Sequence, residues 1–150
     1  MLFRSSVSVV VPTLNEAANL PTVLARVPAW VDEVIVVDGL STDDTVEVAL
    51  RCRPDVRVVL ETTPGKGAAL RAGFAAARGD VIVMIDADGS TDPGEIPLFV
   101  GSLLSGADMA VGSRFVQGGG TADMGPLRKF GNWVFTRAVR IGFEIGRAHV

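Results

Sequence analysis

Asp86 and Asp88 are the residues of this sequence best suited to do chemistry. They stand two apart at the end of the apolar run Val81-Ile82-Val83-Met84-Ile85, with only Ala87 between them. Two carboxylates so placed can reach one hard cation. Mg2+ and Mn2+ take oxygen ligands, and Mg2+ is commonly held by one or two carboxylates together with substrate phosphates. The apolar run reads as a strand of a parallel sheet, buried on both faces. Its carboxyl end is where open α/β sheets bind ligands. A strand ending in a solvated acidic turn would carry the same residues, so the pair alone does not decide. Thr91-Asp92-Pro93-Gly94-Glu95 then reads as a helix start, with a capping residue, Pro at the first helical position and Glu to close the box.

Two further polar clusters follow strands, at residues 13–16 and 38–44. In a parallel sheet all three clusters gather on one edge. Three in register suggest a ligand pocket with hydrogen-bond acceptors and a metal, and a nucleotide fits it. Glu16 and Asp38 can accept from base N–H or ribose hydroxyl groups, and a metal at Asp88 would neutralise a diphosphate. Two nucleotide signatures are missing. Pro12-Thr13-Leu14-Asn15-Glu16 follows the first strand in place of Gly-x-Gly-x-x-Gly. Pro64-Gly65-Lys66-Gly67 lacks the upstream glycine and the downstream Ser/Thr of a Walker loop. Lys66 therefore reads either as a nucleotide contact or as a solvated loop lysine. Arg114, in Gly112-Ser113-Arg114-Phe115, can clamp a phosphate oxygen with its rigid fork, or form a surface ion pair. His149 is the only histidine, and its place near the chain end argues against a hydrolase triad.

These residues need a scaffold, and the pattern supplies one. Apolar runs predict strands at 7–11, 34–37, 56–60, 81–85 and 108–111. Helical spacing predicts helices at 17–27, from 41 to about 53 where Pro54 stops it, at 68–77 and at 96–105. Pro126 opens a last helix to about Phe143, after a Gly-rich loop at 117–125. Strands alternate with helices, which predicts an α/β fold: a mainly parallel sheet with helices on both faces. At about 100° per residue, Arg128, Lys129, Asn132, Thr136 and Arg140 share one arc of the last helix. That arc suits a surface helix, an anionic acceptor, or a membrane-surface contact with Trp133 and Phe135 as its apolar flank.

Composition narrows the class. A chain of 150 residues is one domain with room for a core. With 48% hydrophobic and 21% charged residues it is globular rather than disordered. A net charge of −3 gives no sign of nucleic acid. A single cysteine, Cys52, excludes an intramolecular disulfide and a multi-cysteine zinc site, and reads as packed in its helix. The start carries no signal-peptide pattern, and no run reaches the roughly 18–20 apolar residues of a membrane span. The expected location is the cytoplasm, including a peripheral position at the inner face of the membrane.

Taken together, the motifs resemble family 2 glycosyltransferases of the GT-A fold, most closely the dolichyl- or polyprenyl-phosphate sugar synthase-like branch. The matching stretches are Val9-Val10-Val11-Pro12-Thr13-Leu14-Asn15-Glu16, Val36-Val37-Asp38-Gly39-Leu40-Ser41-Thr42-Asp43-Asp44-Thr45 and Gly65-Lys66-Gly67-Ala68-Ala69-Leu70-Arg71-Ala72-Gly73-Phe74. Asp86-Ala87-Asp88-Gly89-Ser90-Thr91-Asp92-Pro93 and Gly112-Ser113-Arg114-Phe115 complete them. The resemblance implies a nucleotide-diphospho-sugar transferase with a Rossmann-like sheet, using Mg2+ or Mn2+ in cell-envelope glycan synthesis. It implies that Pro12, Leu14, Glu16 and Asp38 hold the base and ribose, with Lys66, Asp86, Ala87, Asp88 and Arg114 completing the nucleotide-sugar site. Asp86, Asp88 and Ser90 would hold the metal. Asp88 and Arg114 would be catalytic, and Arg128 and Lys129 would meet the phosphate of a polyprenyl-phosphate acceptor. The reaction implied is inverting transfer, in which an already ionised phosphate acceptor needs no strong general base. Two positions depart from the family pattern. Asp38-Gly39-Leu40-Ser41 stands where relatives often carry Asp-Asp-Gly-Ser, and Leu14 where they often carry an aromatic residue. Two other readings stay open: a sugar-nucleotide-binding fragment without catalysis, and a transferase acting on a saccharide hydroxyl.

The end of the chain carries its own expectation. Ile145-Gly146-Arg147-Ala148-His149-Val150 can be encoded by ATC GGA AGA GCA CAC GTC, which matches a widely used sequencing adapter. Residues 1–143 are thus expected to be the N-terminal part of an incomplete GT-A domain, and 144–150 a non-native tail.

Overall fold

A computed structural model describes residues 5–112. Compact packing divides the chain between Ala110 and Val111, and the fold and site below belong to the first unit. Four strands form one sheet: β1 (Val7–Thr13), β2 (Glu33–Asp38), β3 (Arg57–Leu60) and β4 (Val81–Met84). Their order is β3-β2-β1-β4, with every neighbouring pair parallel. The helices are α1 (Leu20–Arg26), α2 (Thr45–Cys52), α3 (Lys66–Ala76) and α4 (Ile96–Leu104), the last entered through a 3-10 turn at Pro93–Glu95.

β1 is central and reads VSVVVPT because a strand covered on both faces needs apolar, β-branched residues throughout. Val7, Val9 and Val11 face a core built with Leu20, Val23 and Leu24 of α1, Val48 of α2 and Ile96 of α4. Val10 faces the other way and packs with Ile35, Val37 and Ala69 of α3. The chain steps outward from β1 to β2 to β3, then returns past β1 to β4. With right-handed crossovers, that reversal puts α3 on the opposite face from α1 and α2. The gap between β1 and β4 is therefore the switch point at which such sheets bind ligands.

Register sets the functional edge. Thr13 pairs with Asp38, and Asp38 with Leu60, so three strands end level with one another. The opposite edge is tied by a polar node. Ser8, fully buried, donates its hydroxyl to Glu33 Oε2 at 2.7 Å and accepts from Gly79 N–H at 2.9 Å. Arg57 donates to Glu33 Oε1 at 2.5 Å and to the Ala76 carbonyl at 2.5 Å. Burial pushes the Glu33 carboxyl up. The hydrogen bonds from Ser8 and the Arg78 N–H, with the Arg57 charge, outweigh it and hold the group below its ordinary 4.5. A depressed folded value means the unfolded chain takes up the proton first as pH falls. The stabilisation is thus complete above about 4.5 and is lost as pH drops through the folded value. Glu33→Gln is expected to flatten the acid side of a Tm-against-pH curve; an unchanged acid slope would remove Glu33 from this role.

Four expectations are corrected here. The run at 81–85 is buried on one face only: Val81, Val83 and Ile85 are covered, whereas Ile82 is 41% and Met84 43% exposed. α3 lies over β1 and β2, and β4 is the sheet margin among the described residues. Residues 108–111 form no strand, and Met109 and Val111 are exposed, so the apolar run has no face to fill. α2 starts at Thr45 rather than Ser41, because Ser41 and Asp43 spend their side chains on the neighbouring loop. Cys52 is exposed in the last turn of α2 rather than packed. No helix among the described residues is long and apolar enough to cross a membrane.

Candidate functional site

The loops that follow β1, β2, β3 and β4 meet around a cleft of about 360 Å3. Pro12, Thr13, Leu14 and Glu16 line it from the first loop, and Gly39 and Leu40 from the second. Thr62 to Lys66 come from the third, with Ala69 behind them, and Asp86, Ala87 and Asp88 from the fourth. Of the expected site residues, Pro12, Leu14, Glu16, Lys66, Asp86, Ala87 and Asp88 are brought together here.

The ladder carries on one residue past β4. The Ile85 N–H donates to the Val10 carbonyl at 3.1 Å, so the chain stays extended beyond the last strand residue. Ile85 and Ala87 point into the core, 2% and 3% exposed. The chain turns at Ala87 and Asp88, and Asp86 and Asp88 both line the cleft. The carboxylate of Asp88 accepts from the Ser90 N–H at 2.9 Å, which orients it. Ser90 itself is exposed and lies outside the lining. The donor chemistry fits a hard divalent ion, with two carboxylates on one wall. No group of three or more acidic, histidine or cysteine side chains among the described residues could hold one alone. Beyond these two carboxylates, substrate phosphates and water are the usual source of the remaining oxygens.

The first two loops are locked together by a reciprocal network. Asn15, at φ +58, accepts at its side-chain oxygen from the Thr42 N–H at 2.8 Å. Its own N–H donates to Ser41 Oγ at 2.8 Å. The Glu16 N–H donates to Thr45 Oγ1 at 2.9 Å, and the Ala17 N–H to Asp43 Oδ2 at 3.1 Å. The hydrogen bond from Thr45 holds the Asp43 carboxyl below its ordinary value; desolvation opposes it, and the Ala17 and Thr45 N–H groups reinforce it. Glu16 remains half-exposed at the cleft, accepting from Asn19 Nδ2 at 2.8 Å.

Asp38 is placed differently from the others. It is 2% exposed and does not line the cleft. Its carboxylate accepts from the Ser41 N–H at 3.0 Å and from Ser41 Oγ at 2.5 Å, with Thr13 Oγ1 at 3.4 Å. Here it shapes the second loop from behind the wall. Asp38→Ala is expected to cost about 1–3 kcal/mol of stability, because it removes the acceptor of the half-buried Ser41 N–H and hydroxyl. Urea unfolding checks this, and a loss under about 0.5 kcal/mol, the level of an ordinary surface change, would contradict the assignment.

Lys66 is not in a loop. It is the first residue of α3, after Gly65, whose φ of +108 a side chain would strain. Its ammonium donates to Asp86 Oδ1 at 2.5 Å. The opening turn of α3 has N–H groups without helical partners, which favours an anion beside it. Sequence reasoning missed the rest of this third wall, Thr62 to Gly65; Thr13, Gly39 and Leu40 fell within its polar clusters but were not named as site residues. The signal was available: every loop after a parallel strand reaches this edge, whether or not it carries acids. Leu40 is 52% exposed at φ +65, an unusual backbone state for leucine that its sequence does not announce. Arg114, Arg128, Lys129 and the tail at 144–150 lie outside the described residues.

The family model for glycosyl transferase family 2 matches residues 8–148, nearly the whole chain. The chain belongs to this family. An uncharacterized glycosyltransferase of Mycobacterium tuberculosis is 48% identical over 109 residues, which cover 73% of this chain and 49% of that protein. The dolichol-phosphate mannosyltransferase of Pyrococcus furiosus is 38% identical over 138 residues, 87% of this chain and 37% of that protein. Among solved structures, glucosyl-3-phosphoglycerate synthase from Mycobacterium tuberculosis in complex with Mn2+, UDP and glucosyl-3-phosphoglycerate superposes with a TM-score of 0.60 at 38% identity. That match covers 68% of this chain and 40% of that one. The fold is thus GT-A, as the resemblance implies. This family 2 chain spans about half the length, or less, of the relatives it matches.

Proposed function

We propose that this chain is the donor-binding part of a metal-dependent inverting glycosyltransferase. It would move a sugar from a nucleotide-diphosphate sugar to a polyprenyl phosphate. The observation that carries the reading is the cleft itself: four post-strand loops meet at the switch point, with Asp86 and Asp88 on one wall. The dolichol-phosphate mannosyltransferase and the UDP- and Mn2+-bound synthase support it as relatives.

Each wall then has a task. Pro12 and Leu14 give apolar surface to the base, and Glu16 accepts from ribose or base. Lys66 and the opening turn of α3 present positive charge to the diphosphate. Asp86 and Asp88 would hold Mg2+ or Mn2+, which when bound offsets the negative charge that grows on the departing diphosphate. Arg114 is assigned to that leaving phosphate, and Arg128 and Lys129 to the acceptor phosphate, by the family resemblance alone. The acceptor oxygen attacks the anomeric carbon opposite the leaving group, so configuration inverts. No side chain need take a proton from an ionised phosphate.

The test is transfer of labelled sugar from a panel of nucleotide sugars to polyprenyl phosphate, with Mn2+ and with EDTA. Metal-dependent labelled lipid is the expected result. Donor binding without transfer would leave the chain a sugar-nucleotide-binding module.

A further inference from the structure

Lys66 and Asp86 form an ion pair between the first residue of α3 and the segment after β4, both of which line the cleft. The ammonium is set at the first turn of α3, and α3 is fastened to the sheet where Gly73 meets Val10 and Val37. It is therefore presented from a rigid element. Asp86 is only 30% exposed, so the oxygen that Lys66 occupies is not freely shared with solvent. A divalent ion that uses this carboxylate must compete with an ammonium already seated on it.

We infer that Lys66 is an exchangeable counter-ion that makes metal and donor binding depend on each other. The inference rests on the donor-site reading above. Without donor, Lys66 neutralises Asp86 and weakens its hold on a cation. When a diphosphate enters, its oxygens offer the ammonium a second partner in the same cleft. Lys66 turns to the phosphate, and Asp86 is released to the metal. Linkage requires the effect to be mutual: the metal at Asp86 frees Lys66 for phosphate just as phosphate frees Asp86 for metal.

The experiment measures Mn2+ binding to the full chain by electron paramagnetic resonance, without and with UDP. Lys66→Met is expected to tighten Mn2+ binding in the absence of UDP by roughly fivefold or more, the low end of typical coupling. The gain in Mn2+ affinity on adding UDP should shrink by the same factor. Arg71→Met removes an equal charge from an exposed position of the same helix and should leave the affinity for Mn2+ alone within about twofold, because exposed charges are well screened. In an Asp86→Asn background, Lys66→Met should have no further effect on Mn2+. Equal Mn2+ affinity in wild type and Lys66→Met, or equal tightening by Arg71→Met, overturns the inference while the donor-site reading stands. If no variant binds Mn2+ with or without UDP, both fall together.

Discussion

Asp88→Ala is expected, if the chain has the proposed function, to lower sugar transfer by at least about a hundredfold and to abolish the rise in Tm that Mn2+ is expected to give with donor. The expectation follows from what shares the load at the cleft. Among the described residues no group of three acids, histidines or cysteines could hold a metal, so the loss of Asp88 leaves Asp86 as the one carboxylate on that wall. Asp86 alone then offers the ion a single carboxylate, one that is bonded to Lys66 in the absence of donor. Losing a group that stabilises charge developing on a leaving atom commonly costs about 10²–10³ in rate. Folding should survive, because Asp88 is exposed and its carboxylate accepts from an exposed turn. Differential scanning fluorimetry with donor, with and without Mn2+, reads the binding step separately from transfer. A variant that keeps the metal-dependent shift would take Asp88 out of the metal site.

Gly73→Ala is expected to destabilise this chain, because the added methyl has no room against the sheet. In most helices this change is favourable by about 1 kcal/mol, because alanine restricts the unfolded chain. Here a Cβ would lie 2.4 Å from Val10 Cγ1 and 2.9 Å from Val37 Cγ2. Both valines are fully buried, and a β-branched side chain has little freedom to turn away. α3 would have to lift from the sheet. Overpacking of this kind costs about 1–3 kcal/mol, and the contact distance places it at the upper end. The net loss is about 2 kcal/mol, or roughly 4–8 °C in Tm for a chain of this size. Lifting α3 also displaces Lys66 from Asp86. Val10→Ala combined with Gly73→Ala should recover part of the loss, since the new methyl then has a place to go. A Gly73→Ala protein more stable than the parent would show that the approach of α3 to the sheet is looser than described.

Much of this was legible in the residues. Val9-Val10-Val11 and Val34–Val37 read as strands from their apolar runs, and both are strands buried on both sides. The helices alternate with the strands as the spacing predicts, and the acids after β1, β2 and β4 share one edge because parallel strands all end on one side. Asp86 and Asp88 are expected to reach one site because the strand ends there and turns, and both line the cleft.

What only the tertiary structure decided is which neighbour each side chain meets. Ile82 and Met84 look as buried as Val9 and Val11 in the sequence, yet they sit at the sheet margin and remain exposed. Asp38 looks like a ligand contact of the same kind as Glu16, yet it is consumed by Ser41 behind the wall. Lys66 looks like a loop lysine until α3 begins at it and β4 brings Asp86 to its ammonium from 20 residues away. The physical reason is common to all three. Periodicity fixes the face on which a side chain emerges from its own element, because that is set by local backbone geometry. Burial and partnership depend on elements distant in the chain, and packing alone brings those together.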